Sequence, residues 1–133
     1  MTAEETDLLD RIRIAGGPGR NQGSILPFYP SDDFLRTLTN EFRAEFASVF
    51  TMGINTHYLW VGTIDTIFLP IPKGGPNFEI LIKHTHPRGT PSPSIHDIDW
   101  LRNSQNNGSP QLKSLILPIG RDRTSFNRIT PLV

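Results

Sequence analysis

The sequence predicts a single α/β domain, and three observations carry that reading. The chain has 133 residues, the size of one ordinary domain with one hydrophobic core. Phe34, Leu35, Leu38 and Phe42 recur at helical spacing behind Ser31-Asp32-Asp33, which offers an N-cap and early negative charge. Beyond Glu45 the chain turns to short runs rich in β-branched and aromatic residues, separated by Gly or Asn turns.

Taken in order, Ala3 to Ile14 predicts a short helix with Leu8, Leu9 and Ile12 on one side. Gly16-Gly17-Pro18-Gly19 and the polar residues to Ser24 read as a connector, which makes residues 1–24 an N-terminal extension or linker and residues 25–133 the domain. Phe28-Tyr29-Pro30 would anchor that connector. The helix beginning after Ser31 reaches Phe42, with Phe46 a further position on its face. Three strands are expected next, over Phe46 to Thr51, Thr56 to Gly62 and Ile64 to Pro70. A fourth, Phe78 to His84, alternates Phe78, Ile80 and Ile82 with Glu79, Leu81 and Lys83. After the Pro/Gly loop Arg88 to Pro93, Ser94 caps a helix from Ile95 to about Gln105. Strands Ser114 to Ile119 and Ser125 to Ile129 close the pattern.

Composition narrows the chemistry. Lys plus Arg and Asp plus Glu are both 13, so the formal charge is zero and nothing draws the chain toward nucleic acid or an anionic membrane. Met1 to Ile14 is charged throughout, without the apolar run of a signal peptide or membrane span. A cytoplasmic location is the default expectation, and export by a specialised route without a classical signal is the alternative. The chain has no cysteine, which removes thiolate nucleophiles and thiolate metal sites. Imidazole and carboxylate remain as the strong ligands.

Those ligand types cluster in His84-Thr85-His86-Pro87, followed after seven intervening residues by Ser94 and then by Asp97. Residues two apart on a strand share a face, so His84 and His86 point the same way, and Pro87 ends the pairing just beyond them. Two imidazoles and a carboxylate can hold one divalent metal. Asp97 alone would pass for a favourable charge in a first helical turn, and Ser94 alone for a cap. The Gly16 to Gly19 and Gly74-Gly75-Pro76 runs lack the Gly-Lys-Ser/Thr of a phosphate loop and read as turns. His57, His96 and Asp99 are read as surface or supporting groups, and Trp60 and Trp100 as core or core-edge aromatics.

The run His84-x-His86-Pro87, seven residues, Ser94, two residues, Asp97 resembles the JAMM signature of MPN-type metalloproteases. The fuller stretch His84 to Asp97 is similar to the proline- and glycine-containing form of bacterial, RadC-like members. The resemblance implies one JAMM/MPN-like domain with a curved mixed sheet flanked by helices. It implies one Zn2+ held by His84, His86 and Asp97, with a peptide or isopeptide amide as substrate. Ser94 would stabilise the oxyanion. An upstream glutamate would act as general base and acid, at the junction of the first long helix and the next strand. Glu45 fits that junction and is preferred to Glu41, one helical turn earlier, although Ala47 and Ser48 stand where family members carry a glycine. Glu79 is set aside because strand alternation from His84 sends it to the opposite face. The resemblance also leaves open a bacterial effector or toxin controlled by an immunity or regulatory protein, and a non-catalytic binding module.

Overall fold

The computed structural model describes residues 1–19, 22–70, 72 and 77–132. Its elements are α1 (Ala3–Ile14), β1 (Gln22–Leu26), α2 (Asp32–Phe42), β2 (Phe46–Thr51), β3 (Thr56–Val61), β4 (Glu79–His86), α3 (Ile95–Asn106), β5 (Lys113–Pro118) and β6 (Thr124–Asn127). The six strands form one open sheet in the order β1-β3-β2-β4-β5-β6. Among the described residues only the β4–β5 pair is parallel, and α3 supplies the crossover such a pair needs. The α/β expectation therefore holds.

Two apolar layers sandwich the sheet. On one face α1 and α2 bring Leu9, Phe34, Leu35 and Leu38 against Phe46, Leu59 and Leu117. On the other, Ile98, Trp100 and Leu101 of α3 cover Val49, Leu81, Ile116 and Phe126. α2 stops where Arg43 adopts a left-handed conformation (φ 53°), so Phe46 belongs to β2 rather than to the helix. Ala44 and Glu45 form the short link between them.

The first residues are packed into this architecture. Leu9 lies in the core. The buried Glu5 carboxylate accepts the backbone N–H of Thr2 at 2.9 Å, that of Ser31 at 2.7 Å and the Ser31 hydroxyl at 3.0 Å. α1 is thereby clipped to the start of α2. The connector expected up to Ser24 gives way to β1, which pairs antiparallel with β3. Gly23 is what permits this pairing: a Cβ there would lie 2.5 Å from the Trp60 ring, so the tryptophan lies over the glycine backbone.

The strand expected over Ile64 to Pro70 is absent, and these residues carry no helix or strand. Thr63 N–H donates to the Thr66 carbonyl at 2.7 Å, a local turn that diverts the chain from the ladder. The segment then crosses the α3 face of the sheet, burying Ile67 there, and the Trp100 indole donates to the Pro70 carbonyl at 2.8 Å. Gly74-Gly75-Pro76 lies outside the described residues.

β4 departs from simple alternation. Val49 pairs with Leu81 but Ser48 pairs with Lys83, so Ile82 is the extra residue of a β-bulge. Leu81 consequently shares the α3 face with His84, while Lys83 turns to the α2 side and binds Asp32 at 2.7 Å. The core residue is Leu81, fully buried, while Ile80 and Ile82 are only half-buried.

Candidate metal centre

The C-terminal end of β4 and the first turn of α3 meet at one point. His84 and His86 project from the same face, and their Nε2 atoms are 3.0 Å apart. Asp97 sits opposite, with Oδ1 3.1 Å from His84 Nε2 and Oδ2 3.3 Å from His86 Nε2. All three side chains are buried. The helix start aims the carboxylate. Ser94 Oγ accepts the Asp97 N–H at 3.2 Å and Asp97 Oδ2 accepts the Ser94 N–H at 2.8 Å, closing a capping box.

Neighbouring groups set the ring orientations. His86 Nδ1 lies 2.7 Å from the Thr90 carbonyl, which can only accept. Nδ1 therefore carries a proton, which leaves Nε2 as the atom that would face a metal, the arrangement that backbone carbonyls impose on metal-binding histidines. Among the described residues His84 Nδ1 has no hydrogen-bond partner, so that ring meets the site through Nε2. Two facing imidazole nitrogens and a carboxylate need a proton or a cation at their focus. The donor set of nitrogen and oxygen suits a divalent metal.

Glu45 approaches the same focus from the α2–β2 junction. One ligand atom each from Glu45, His84 and His86 lie within 4.8 Å of one another, a grouping that could hold a metal ion. Its backbone is fixed on both sides, with Glu45 N–H donating to the Thr63 carbonyl at 2.7 Å and Gly62 N–H donating to the Glu45 carbonyl at 2.8 Å. Thr85, between the two histidines, faces the other way. Its hydroxyl accepts the Phe46 N–H at 2.9 Å and lies 2.6 Å from the Thr39 hydroxyl. Thr85 thus ties the histidine strand to the residue after Glu45.

The electrostatics follow from burial and pairing. Burial pushes the Glu45 carboxyl up to about 8; His84 opposes the rise, while Asp97 and Asp65 add to it. Burial opposes the charged form of Asp97 as well, yet His84, His86 and the Ser94 N–H hold its pKa far below the ordinary carboxylate value. Burial likewise opposes protonation of His84, but Asp97 and Glu45 carry its pKa above the ordinary imidazole value. Without metal the centre therefore retains protons. A divalent cation would displace them from His84 and Glu45.

The predicted residues divide clearly. His84, His86, Asp97 and Glu45 come together, and Ser94 lines the adjoining cleft with Glu45 and His86. Glu41 does not: it is bound by Arg13 at 2.6 and 2.7 Å on the protein surface. Glu79, expected on the opposite face, shares the α3 face because of the Ile82 bulge, but at the far end of β4, where it lines a separate cavity with Tyr58 and Trp60. His57 packs edge-on against Tyr29 and tilted against Phe50, with ring centroids 5.5 and 4.8 Å away, and His96 and Asp99 are exposed on α3. Trp100 is a core residue. The Thr90 carbonyl and the Thr85 anchor have no motif of their own and emerge only from the fold.

The chain matches no family model, no curated protein and no solved structure. Its class rests on its own geometry, an α/β domain in which the buried Glu45, His84 and His86 could hold a metal ion.

Proposed function

We propose that this domain is a zinc-dependent hydrolase cleaving a peptide or isopeptide amide bond, in the manner of the JAMM metalloproteases its motif resembles. The observation that carries the reading is the convergence of His84, His86 and Asp97 within 3.0 to 3.3 Å, beside a buried Glu45 and a solvent-accessible cleft. Zinc bound there would supply Lewis acidity toward a carbonyl oxygen and bring the pKa of a water to about 7.

The remaining work falls to the chain. His84, His86 and Asp97 would hold the ion, and the cleft lined by Glu45, His86 and Ser94 lies beside them. Glu45, ionised once a cation lies beside it, accepts a proton from the attacking water as the water oxygen bonds to the carbonyl carbon. It returns that proton to the nitrogen as the carbon–nitrogen bond breaks, and the second water proton follows from the new carboxylic acid to the amine, so the products at neutral pH are a carboxylate and an ammonium group. The Ser94 hydroxyl is free to donate to the carbonyl oxygen as charge gathers on it, because its cap role uses only an oxygen lone pair.

The test is hydrolysis of internally quenched peptides and of Lys-linked isopeptides by zinc-loaded protein. Glu45→Gln should retain zinc while losing about two to four orders of magnitude in kcat. An unchanged rate in that variant would refute the assignment of Glu45.

A further inference from the structure

The cleft beside the metal centre encloses about 200 Å³ and runs outward from Glu45 and His86 to a charged pair, Asp65 and Arg88. The two come from different segments, Asp65 from the turn after β3 and Arg88 from the loop after β4. Arg88 Nε and Nη2 donate to Asp65 Oδ1 and Oδ2, and both side chains are about 60% exposed (61% and 60%). A planar guanidinium presenting two N–H groups in a fork is suited to a carboxylate. An exposed pair of this kind contributes little to stability, so its opening costs little.

Charge makes the position of Arg88 informative. Among the described residues lining the cleft, Arg88 alone carries a permanent positive charge, whereas Glu45 and Asp65 are acidic. Among the side chains lining the cleft, a substrate carboxylate would find a permanent opposite charge at Arg88 and like charge at Asp65 and the ionised Glu45. At Arg88 it would replace Asp65, exchanging one two-point ion pair for another.

Resting on the hydrolase reading above, we propose that Arg88 determines specificity. It binds a substrate carboxylate close to the scissile amide by displacing Asp65, and the preferred substrates are peptides bearing such a carboxylate. The carboxylate is a free C-terminus or an Asp or Glu side chain, and the two are separable by experiment.

The probes are three N-acetylated tripeptides: one of alanine with a free C-terminus, its C-terminal amide, and an amide carrying one Glu. Their binding to zinc-loaded Glu45→Gln protein, which does not turn them over, is read by calorimetry. At least one carboxylate peptide should bind about tenfold or more tightly than the neutral amide, as expected for a charge-assisted two-point contact. Arg88→Gln should abolish that preference and Asp65→Asn should preserve or increase it. Which peptide carries the preference identifies the carboxylate. Equal binding of all three, binding of none, or a preference that survives in Arg88→Gln, as direct coordination to zinc would give, overturns the proposal. Such a result beside hydrolysis of the neutral amide by the wild-type protein removes only the role of Arg88. Loss of hydrolysis of every peptide by a zinc-loaded wild type strikes the hydrolase reading itself.

Discussion

Replacing Glu45 by Gln should stabilise the metal-free protein at alkaline pH, and the size of the effect follows from the burial of the carboxyl. Its pKa rises from 4.5 to about 8. At about 1.36 kcal/mol per unit, full ionisation in the folded state costs up to about 5 kcal/mol. The folded state holds this proton more tightly than the unfolded chain, so between pH 4.5 and 8 it binds more protons, and stability falls as pH rises through that window. Glutamine removes the ionisation while keeping the shape.

Urea denaturation of both proteins in chelator, at pH 5, 7 and 9, measures the difference. The advantage of Glu45→Gln should be small at pH 5 and grow by on the order of 3 to 5 kcal/mol by pH 9. His84 contributes a fall in the same direction, because its raised pKa gives stability that is lost as pH climbs through the folded value. Because Glu45 helps to raise that pKa, the contribution shrinks in Glu45→Gln, so the difference reports Glu45 together with its pairing to His84. A difference that stays flat within about 1 kcal/mol from pH 5 to 9 would refute the buried, protonated carboxyl. Excess zinc should reverse the ranking, since a neighbouring cation favours the ionised glutamate over the amide.

Three further outcomes are expected. Gly62→Ala would place a Cβ 2.2 Å from the Thr66 carbonyl oxygen and 2.7 Å from Ile67 Cα. Because backbone must move, thermal melts should show a loss of about 1 to 3 kcal/mol, accompanied by reduced turnover because the Gly62 N–H holds Glu45. Thr85→Val leaves the buried Phe46 N–H and the Thr39 hydroxyl without their partner and should cost about 1 to 3 kcal/mol in denaturation, with zinc content unchanged. Ser94→Ala should cost about 1 kcal/mol through the lost cap and lower kcat by about 100-fold or more if its hydroxyl meets the oxyanion. A variant with normal kcat and the stability loss alone would leave Ser94 only its cap role.

What was legible in the sequence was whatever depends on local period and chemistry. The spacing of Phe34, Leu35 and Leu38 gave away α2, and the two-residue period placed His84 and His86 on one face. Ser94 and Asp97 announced a helix start, and the same capping box that begins α3 aims the Asp97 carboxylate at the two histidines. The elements that escaped depend on contacts distant in the chain. β1 looks like a linker because its glycine is explained only by Trp60, on the neighbouring strand. The residues after Val61 look like a strand until the Thr63–Thr66 turn takes them off the ladder. The Ile82 bulge puts Glu79 and Leu81 on the same face as His84, an outcome fixed by pairing with β2 rather than by the alternation of β4 itself. Glu41 and Glu45 could not be separated by spacing alone, and the Arg13 side chain of α1 decides between them by occupying Glu41.

The central claim is that His84, His86 and Asp97 form a zinc site. Metal analysis of gently purified protein, paired with calorimetric zinc titration of the chelator-treated form, tests it most directly. The account predicts close to one zinc per chain, with binding that releases protons as Glu45 and His84 give them up. His84→Ala and Asp97→Ala proteins that remain folded by circular dichroism should bind none. A folded wild-type protein that takes up no zinc, or that takes it up equally well without Asp97, would contradict the account.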